Sequence, residues 1–145
     1  MSVQQLSVYI ENHPGRLFAV TEALGAAGIN IRGLSLQEGE VSGTLRLITS
    51  DVPAARNVLM SLDIPGTVEE VVAVRAMDNP GSLALILKPL YEAEVNLRYA
   101  YSFLVGGGAV IILQSADNDA AESVLVEAGF KLLTIAELLG GVDAL

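Results

Sequence analysis

The chain has no cysteine among its 145 residues, which excludes disulfides, thiolate metal sites and a cysteine nucleophile. Basic residues are scarce: 8 Lys and Arg stand against 17 Asp and Glu, a formal net charge of −9. A protein that tracks a phosphate backbone carries a basic stripe, and none is present, so nucleic acid is not an expected partner. No apolar run approaches the ~20 residues that a membrane span requires, so no membrane is expected either. The start, MSVQQLSVYIEN, lacks the basic region and apolar core of a signal peptide, and a cytoplasmic location is the expectation. Histidine occurs once, as His13 beside a proline. No nucleophile–base set accompanies it, so it reads as a surface or ligand-lip residue and the chain as non-enzymatic.

What the chain does have is apolar mass. Hydrophobic residues make up 52% and charged residues only 17%, with a mean hydropathy of +0.52. The length suits one ordinary domain or two small ones. The excess apolar surface calls for packing of two modules or of two chains, so a homodimer is expected.

The sequence also repeats itself. Residues 11–35, ENHPGRLFAVTEALGAAGINIRGLS, slide by 66 positions onto residues 77–101, MDNPGSLALILKPLYEAEVNLRYAY. Pro14/Pro80, Gly15/Gly81, Leu17/Leu83, Leu24/Leu90, Ala27/Ala93, Asn30/Asn96 and Arg32/Arg98 coincide. One module used twice predicts sites at equivalent positions or between the copies. A lone copy would bury only ~60% of its unfolded surface and be marginal.

Within each copy the periodicities alternate. Leu6, Val8 and Ile10 alternate with polar residues, the period of a half-buried strand. Pro14 is placed for the first helical position, and Leu17, Val20, Leu24 and Ala27 fall on one helical face. Gly28 suits a left-handed helix stop. Asn30–Leu36 and Thr44–Thr49 read as strands, and Asp51 and Pro53 open a helix striped by Ala55, Val58, Leu59 and Leu62. The second copy repeats the order. Leu83, Ile86, Leu90 and Ala93 stripe a helix that Pro89 should kink. Asn96–Val105 and Ala109–Gln114 flank the glycine turn Gly106–Gly108. Ala121, Val124, Leu125 and Ala128 stripe the next helix, and Phe130–Ala136 reads as a last strand. Ala109–Leu113 is apolar on both faces, which predicts cover from both sides and a dimer through the open sheet faces.

One segment is short. IPGTVEEVVAVRAM must close the first unit and open the second, either as one long strand or with the C-terminal strand exchanged into the first unit. The predicted architecture is α+β: two ferredoxin-like βαββαβ units, 1–69 and 70–145, with antiparallel sheets and helices on one face.

Three uses of such a fold can be compared. A metal carrier needs paired thiolates. An acylphosphatase-like site needs a basic residue beside its glycine loop, and Gly106–Gly108 has none nearby. Asp117, Asn118, Asp119 and Glu122 lack the Gly and the Glu of a calcium loop, and a helix N-cap explains them better. A ligand sensor needs polar groups at the strand-to-helix turns, and both copies have them. No metal and no cofactor are expected.

IENHPGRLFAVTEALGAAGINIRGLSLQ resembles the ACT domain, the small-molecule-sensing module of amino-acid metabolism. It is most similar to the serine-sensing regulatory domain of phosphoglycerate dehydrogenase. The Asn-x-Pro-Gly-x-Leu turn stands as Asn12–Leu17 and the Gly-hydrophobic-Asn-hydrophobic signature as Gly28–Ile31. In the second copy they persist as Asp78–Leu83 and Val95–Leu97, with Glu94 in place of the Gly. The resemblance covers nearly the whole chain. It implies a tandem sensor that binds a free amino acid, or a similar small metabolite, between paired modules and signals to a partner such as an enzyme of amino-acid metabolism.

The residues it implicates in the first copy are Asn12, His13, Pro14, Gly15, Arg16, Leu17, Asn30 and Ile31. Those in the second are Asp78, Asn79, Pro80, Gly81, Leu83, Asn96 and Leu97. Asn12 and Asn96 are expected on one ligand, Asp78 and Asn30 on the other. Physical chemistry gives such a turn a rationale. Unpaired N–H groups at Gly15, Arg16 and Leu17 suit a carboxylate, and an Asn amide both accepts from an ammonium and donates to a carboxylate. The competing reading makes Asn12 and Asn30 simple turn residues. The sites should be unequal, because Asp78 adds a negative charge and Ser82 replaces Arg16. The alternative function is a structural dimerisation module without a ligand.

Overall fold

A computed structural model describes residues 2–11 and 13–140. The chain divides into two compact units, Gln4–Glu69 and Glu70–Leu145 together with Met1–Val3. No helix among the described residues is long and apolar enough to cross a membrane.

The first unit is built from β1 (Val3–Glu11), α1 (Arg16–Ala26), β2 (Ile31–Gln37), β3 (Ser42–Thr49), α2 (Val52–Ser61) and the front of β4 (Gly66–Met77). Its strand order is β2-β3-β1-β4, with β1 and β2 antiparallel to β3. Alternation along β1 places Leu6, Val8 and Ile10 opposite Leu47, Leu45 and Gly43. These strand residues meet Val20 and Leu24 of α1 and Ala55 and Leu59 of α2 in one buried core.

The second unit uses the rear of β4, then α3 (Ser82–Glu92), β5 (Leu97–Val105), β6 (Gly108–Ser115), α4 (Asn118–Glu127) and α5 (Ile135–Leu139). Here β6 lies between β4 and β5, antiparallel to both. Val72, Val74, Ile111 and Leu113 pack under Ile86, Leu90, Ala121 and Leu125. Gly106 and Gly107, with φ of 50° and 83°, make the tight hairpin turn between β5 and β6, a backbone that glycine adopts without strain. Asp51 and Asp117 cap α2 and α4 by accepting from Ala54 N–H and Ala120 N–H, both at 3.0 Å. Asn118 is spent on the backbone, accepting from Ser115 N–H and donating to the Glu70 carbonyl.

The linking segment is one strand of 12 residues, and it is shared rather than exchanged. The C-terminal stretch completes the second unit: Arg75 N–H donates to the Lys131 carbonyl at 2.9 Å and Leu133 N–H to the Ala73 carbonyl at 2.8 Å.

Several sequence expectations need correction. Phe130–Ala136 is not a strand. Its pairing is an isolated bridge between Val74 and Leu132, and Thr134 then starts α5 with a reciprocal capping box to Glu137. The Thr-x-x-Glu spacing announces a helix start, and the apolar run hides it. Pro14 is not the first helical residue: Gly15, at φ 91°, is the N-cap and Arg16 leads α1. Leu83 is 46% exposed on the first turn of α3, and Ala27 and Ala93 are exposed C-caps, so these repeated positions are not core. Ala128 is likewise an exposed C-cap. α3 runs unbroken through Pro89 from Ser82 to Glu92.

The doubly apolar strand also finds its cover without a second chain. Ile111 and Leu113 face the helices, while Val110 and Ile112 point the other way and are fully buried in the single chain. Leu132 joins the helix-side core, so alternation turns its neighbour Leu133, also fully buried, to that second face. Strand β6 therefore gives no reason for a dimer through the sheet.

Candidate functional site

In both units the strand-to-helix turn is built the same way. Gly15 and Gly81 sit at the N-caps of α1 and α3 with φ of 91° and 88°. Neither helix has a side-chain cap or an acidic residue in its first turn, whereas α2, α4 and α5 are all capped. Within each helix the first carbonyl in use is that of the glycine, which accepts from Ala19 N–H at 2.9 Å and from Leu85 N–H at 3.1 Å. The N–H groups of Leu17 and Phe18, and of Leu83 and Ala84, precede it and have no intrahelical acceptor among the described residues. Arg16 N–H and Ser82 N–H turn back to the His13 and Asn79 carbonyls at 3.5 and 3.3 Å.

Each turn opens on a cavity inside its own unit. The first, of about 270 Å³, lies between the turn and the β2–β3 connection. Glu11, His13, Arg16 and Leu17 face Leu36, Gln37, Glu38 and Gly43 across it, with Ile10 at its base. The second, of about 600 Å³, is lined by Arg75, Ala76, Met77, Asn79, Ser82, Leu85 and Ile86 and by Gly129, Phe130 and Lys131. Four lining positions recur at the 66-residue offset: Ile10/Ala76, Glu11/Met77, His13/Asn79 and Arg16/Ser82. The far walls do not correspond. The two cavities share a turn and diverge beyond it.

Their electrostatics diverge too. In the first, His13 Nε2 is 2.8 Å from Glu11 Oε2 and its Nδ1 is 3.3 Å from the Pro14 carbonyl. The orienting carboxylate that the sequence did not reveal is thus Glu11, two residues earlier on β1. Arg16 Nε is shut off from solvent with no hydrogen-bond partner among the described residues. Acid and base therefore stand on the same wall. In the second, Asn79 Oδ1 accepts from the Ser82 hydroxyl. Lys131 Nζ lies 3.0 Å from Glu137. That ammonium, helped by the Thr134 N–H, holds the Glu137 carboxyl below its ordinary value. Arg75 and Lys131 line the second cavity, and Asp78 does not.

Of the residues singled out from sequence, His13, Arg16, Leu17 and Asn79 line a cavity. Gly15 and Gly81 shape the turns, and Pro14, Asp78 and Pro80 are exposed within them. Asn12 lies outside the described residues. Leu83 lines neither cavity. Asn30 and Ile31 follow the far end of α1, about 16 Å along the helix from its own turn, and Asn96 and Leu97 hold the same place after α3. Asn30 is tied by its backbone, its N–H donating to Ser50 Oγ and its carbonyl accepting from Ser50 N–H, both at 2.9 Å. Ile31 and Leu97 pack against the two cores. Sequence reasoning missed Glu11, Glu38, Arg75, Phe130 and Lys131. Glu11 was visible as a strand residue beside a turn and Phe130 as the residue after a helix end, but nothing local marked them as cavity walls.

The family model described as an ACT domain pair matches residues 1–139. The chain belongs to that family. Among solved structures, this ACT pair is similar to protein BT0572 from Bacteroides thetaiotaomicron, with 33% identity and a TM-score of 0.89 over 95% of this chain and 96% of that one. It shares the fold of the ligand-free regulatory subunit of aspartate kinase from Thermus thermophilus, at 16% identity and a TM-score of 0.62 over 87% and 91% of the two chains. The corresponding subunit from Thermus flavus gives 15% identity and a TM-score of 0.61 over 86% and 91%. No curated protein matches the chain.

Proposed function

We propose that this ACT pair is a non-enzymatic, cytoplasmic regulatory protein that binds a free amino acid at the turn of its first unit and passes that event to a partner protein. The observation that carries the reading is the pairing, in one cavity, of Arg16 with Glu11 and Glu38 at an uncapped helix N-terminus. An amino acid presents a carboxylate and an ammonium about one bond apart. Arg16 and the open N–H groups of α1 suit the carboxylate, and the acidic side chains suit the ammonium. His13 lines that cavity and Pro14 and Gly15 belong to its turn, and the proposal assigns Asn12 a polar contact to the ligand. The second turn, Asp78–Gly81, is the weaker site for amino acids, and Asn30 and Asn96 are assigned supporting polar roles. A partner among enzymes of amino-acid metabolism is in keeping with the regulatory subunits whose fold the chain shares.

Thermal-shift screening of the full chain against the standard amino acids at millimolar concentration tests this, followed by calorimetry of any hit on Arg16→Ala. Stabilisation by one or a few amino acids, lost in the variant, is expected. No shift with any of them would overturn it.

A second reading, a dimerisation module, is favoured by one observation. Phe18, Leu85 and Tyr91 stand on helices with 67%, 65% and 81% of their surface exposed, which is apolar area without cover. Sedimentation equilibrium decides it: a 15.2 kDa monomer at high concentration removes this reading.

A further inference from the structure

The floor of the first cavity lacks a side chain at Gly43. This residue stands opposite Ile10 in the pairing of β1 with β3. It is not among the glycines with positive φ, so its backbone does not call for glycine. A Cβ added there would lie 3.3 Å from Leu36 Cδ1, 3.3 Å from the Gln37 carbonyl oxygen and 3.9 Å from Ile10 Cγ1. All three residues line the cavity. Ile10 belongs to the helix-side core, and strand partners directly opposite share a face, so the missing side chain would point to that side too. Leu17, the second residue of α1, packs against the same core and lines the cavity as well. Ile10, Leu17, Leu36 and Gly43 thus make an apolar floor. At about 270 Å³ the space is small, since ligand sites usually start near about 300 Å³. At the 66-residue offset Gly43 becomes Ala109, which pairs with Ala76 but does not line the second cavity.

We propose that Gly43 sets the specificity of the first cavity, and that its ligand is an amino acid with a short aliphatic side chain, valine or leucine, rather than an aromatic or charged one. The inference rests on the reading of this cavity as an amino-acid site and deepens it. With Arg16 on the carboxylate and Glu38 on the ammonium, the third substituent of the α-carbon is left with Ile10, Leu17, Leu36 and Gly43. None of these four offers a polar side-chain atom. A charged side chain placed on them would lose its water without gaining a partner. An aliphatic one would take its own surface and that of Leu36, 48% exposed, out of water together. An aromatic ring needs more room than the small cavity and the space above Gly43 supply, and overpacking is costly.

Calorimetry on the full chain with alanine, valine, leucine, phenylalanine, lysine and glutamate tests it. Valine or leucine is expected to bind at least tenfold more tightly than phenylalanine, lysine or glutamate. Gly43→Ala sets a methyl on the floor and should cut the preference for leucine over alanine tenfold or more. Leu36→Ala, at a half-exposed position, should enlarge the cavity and bring phenylalanine closer to leucine. Circular dichroism on each variant checks folding, and if Gly43→Ala does not fold, Leu36→Ala decides alone. Best binding by phenylalanine, lysine or glutamate, lost in Arg16→Ala, overturns the inference and leaves the amino-acid reading standing. A preference for leucine that neither floor variant alters also overturns it. Binding of none of the six at millimolar concentration removes the amino-acid reading and the inference together.

Discussion

Glu94 occupies, 66 residues on, the left-handed position that Gly28 occupies at the end of α1, with φ of 57° against 74°. The bonds around them match. Gly28 N–H and Ile29 N–H donate to the Gly25 and Leu24 carbonyls, and Glu94 N–H and Val95 N–H donate to those of Tyr91 and Leu90. α2 and α4 close in the same way, through Asp63 at φ 59° and Gly129 at φ 90°. Each unit therefore has one glycine and one acidic residue at its two left-handed helix stops, in opposite order.

A side chain in that conformation is strained, and a carboxylate at a helix C-terminus opposes the dipole. Against this, glycine loses more entropy on folding. Glu94→Gly is expected to stabilise the protein by about 0.5–1 kcal/mol net. Urea denaturation measures it, and a neutral or destabilising result would show that glycine's larger entropy loss outweighs the relief of strain.

Arg16→Ala should leave stability within about 0.5 kcal/mol of the parent, since its Nε makes no internal bond. Amino-acid binding should fall by about 2 kcal/mol, roughly thirtyfold, the worth of one charge-assisted bond. Paired melting curves and calorimetry separate the two effects.

The ion pair beside α5 predicts a pH effect. Lys131 depresses the Glu137 carboxyl, so the folded state holds that proton less tightly than the unfolded chain. Its stabilisation is present above the ordinary glutamate range and is lost as the pH falls through the depressed value. Glu137→Gln keeps a capping-box side chain and removes the charge. The stability gap between parent and variant should be open near neutrality and closed in acid; a gap that persists at the acid end would reject Lys131 as its source.

Ile112→Ala should cost about 2–4 kcal/mol by leaving a cavity on the face of β6 away from the helices. Because Ile112 is buried within one chain, that cost should not vary with protein concentration. A concentration-dependent midpoint would return this face to an intermolecular role.

Asn30→Ala keeps both backbone bonds that tie Asn30 to Ser50, so stability should change by less than about 0.5 kcal/mol. Any loss of ligand binding in this variant then reports on the amide itself. Unchanged binding would withdraw Asn30 from the proposed site.

Much of the fold was legible because period and punctuation agree. Leu6, Val8 and Ile10 alternate, and Asp51 and Asp117 cap where Asp before a helix should. The misses share a cause. Leu83, Ala27 and Ala93 obey the helical period but fall on helix ends, where there is no sheet to meet. The run Phe130–Ala136 is apolar enough for a strand, yet one bridge and a capping box divide it. The turns of the candidate site could be read locally, since Pro-Gly spacing is a local signal. Their far walls could not: Glu38 and Lys131 reach the cavities only by tertiary placement, at different separations from the two turns.

The strand β4 has a consequence for how this molecule can be divided. Its residues 66–69 belong to one unit and 70–77 to the other, and Val3 at the head of β1 is grouped with the later residues. The later half is thus not a single uninterrupted stretch of chain, whereas the earlier one, Gln4–Glu69, is. A cut after Glu69 would leave one fragment with a third of the strand and the other with two thirds. Genes for the halves expressed apart would each encode a truncated β4, and the duplication in the sequence is no longer a duplication of independent parts.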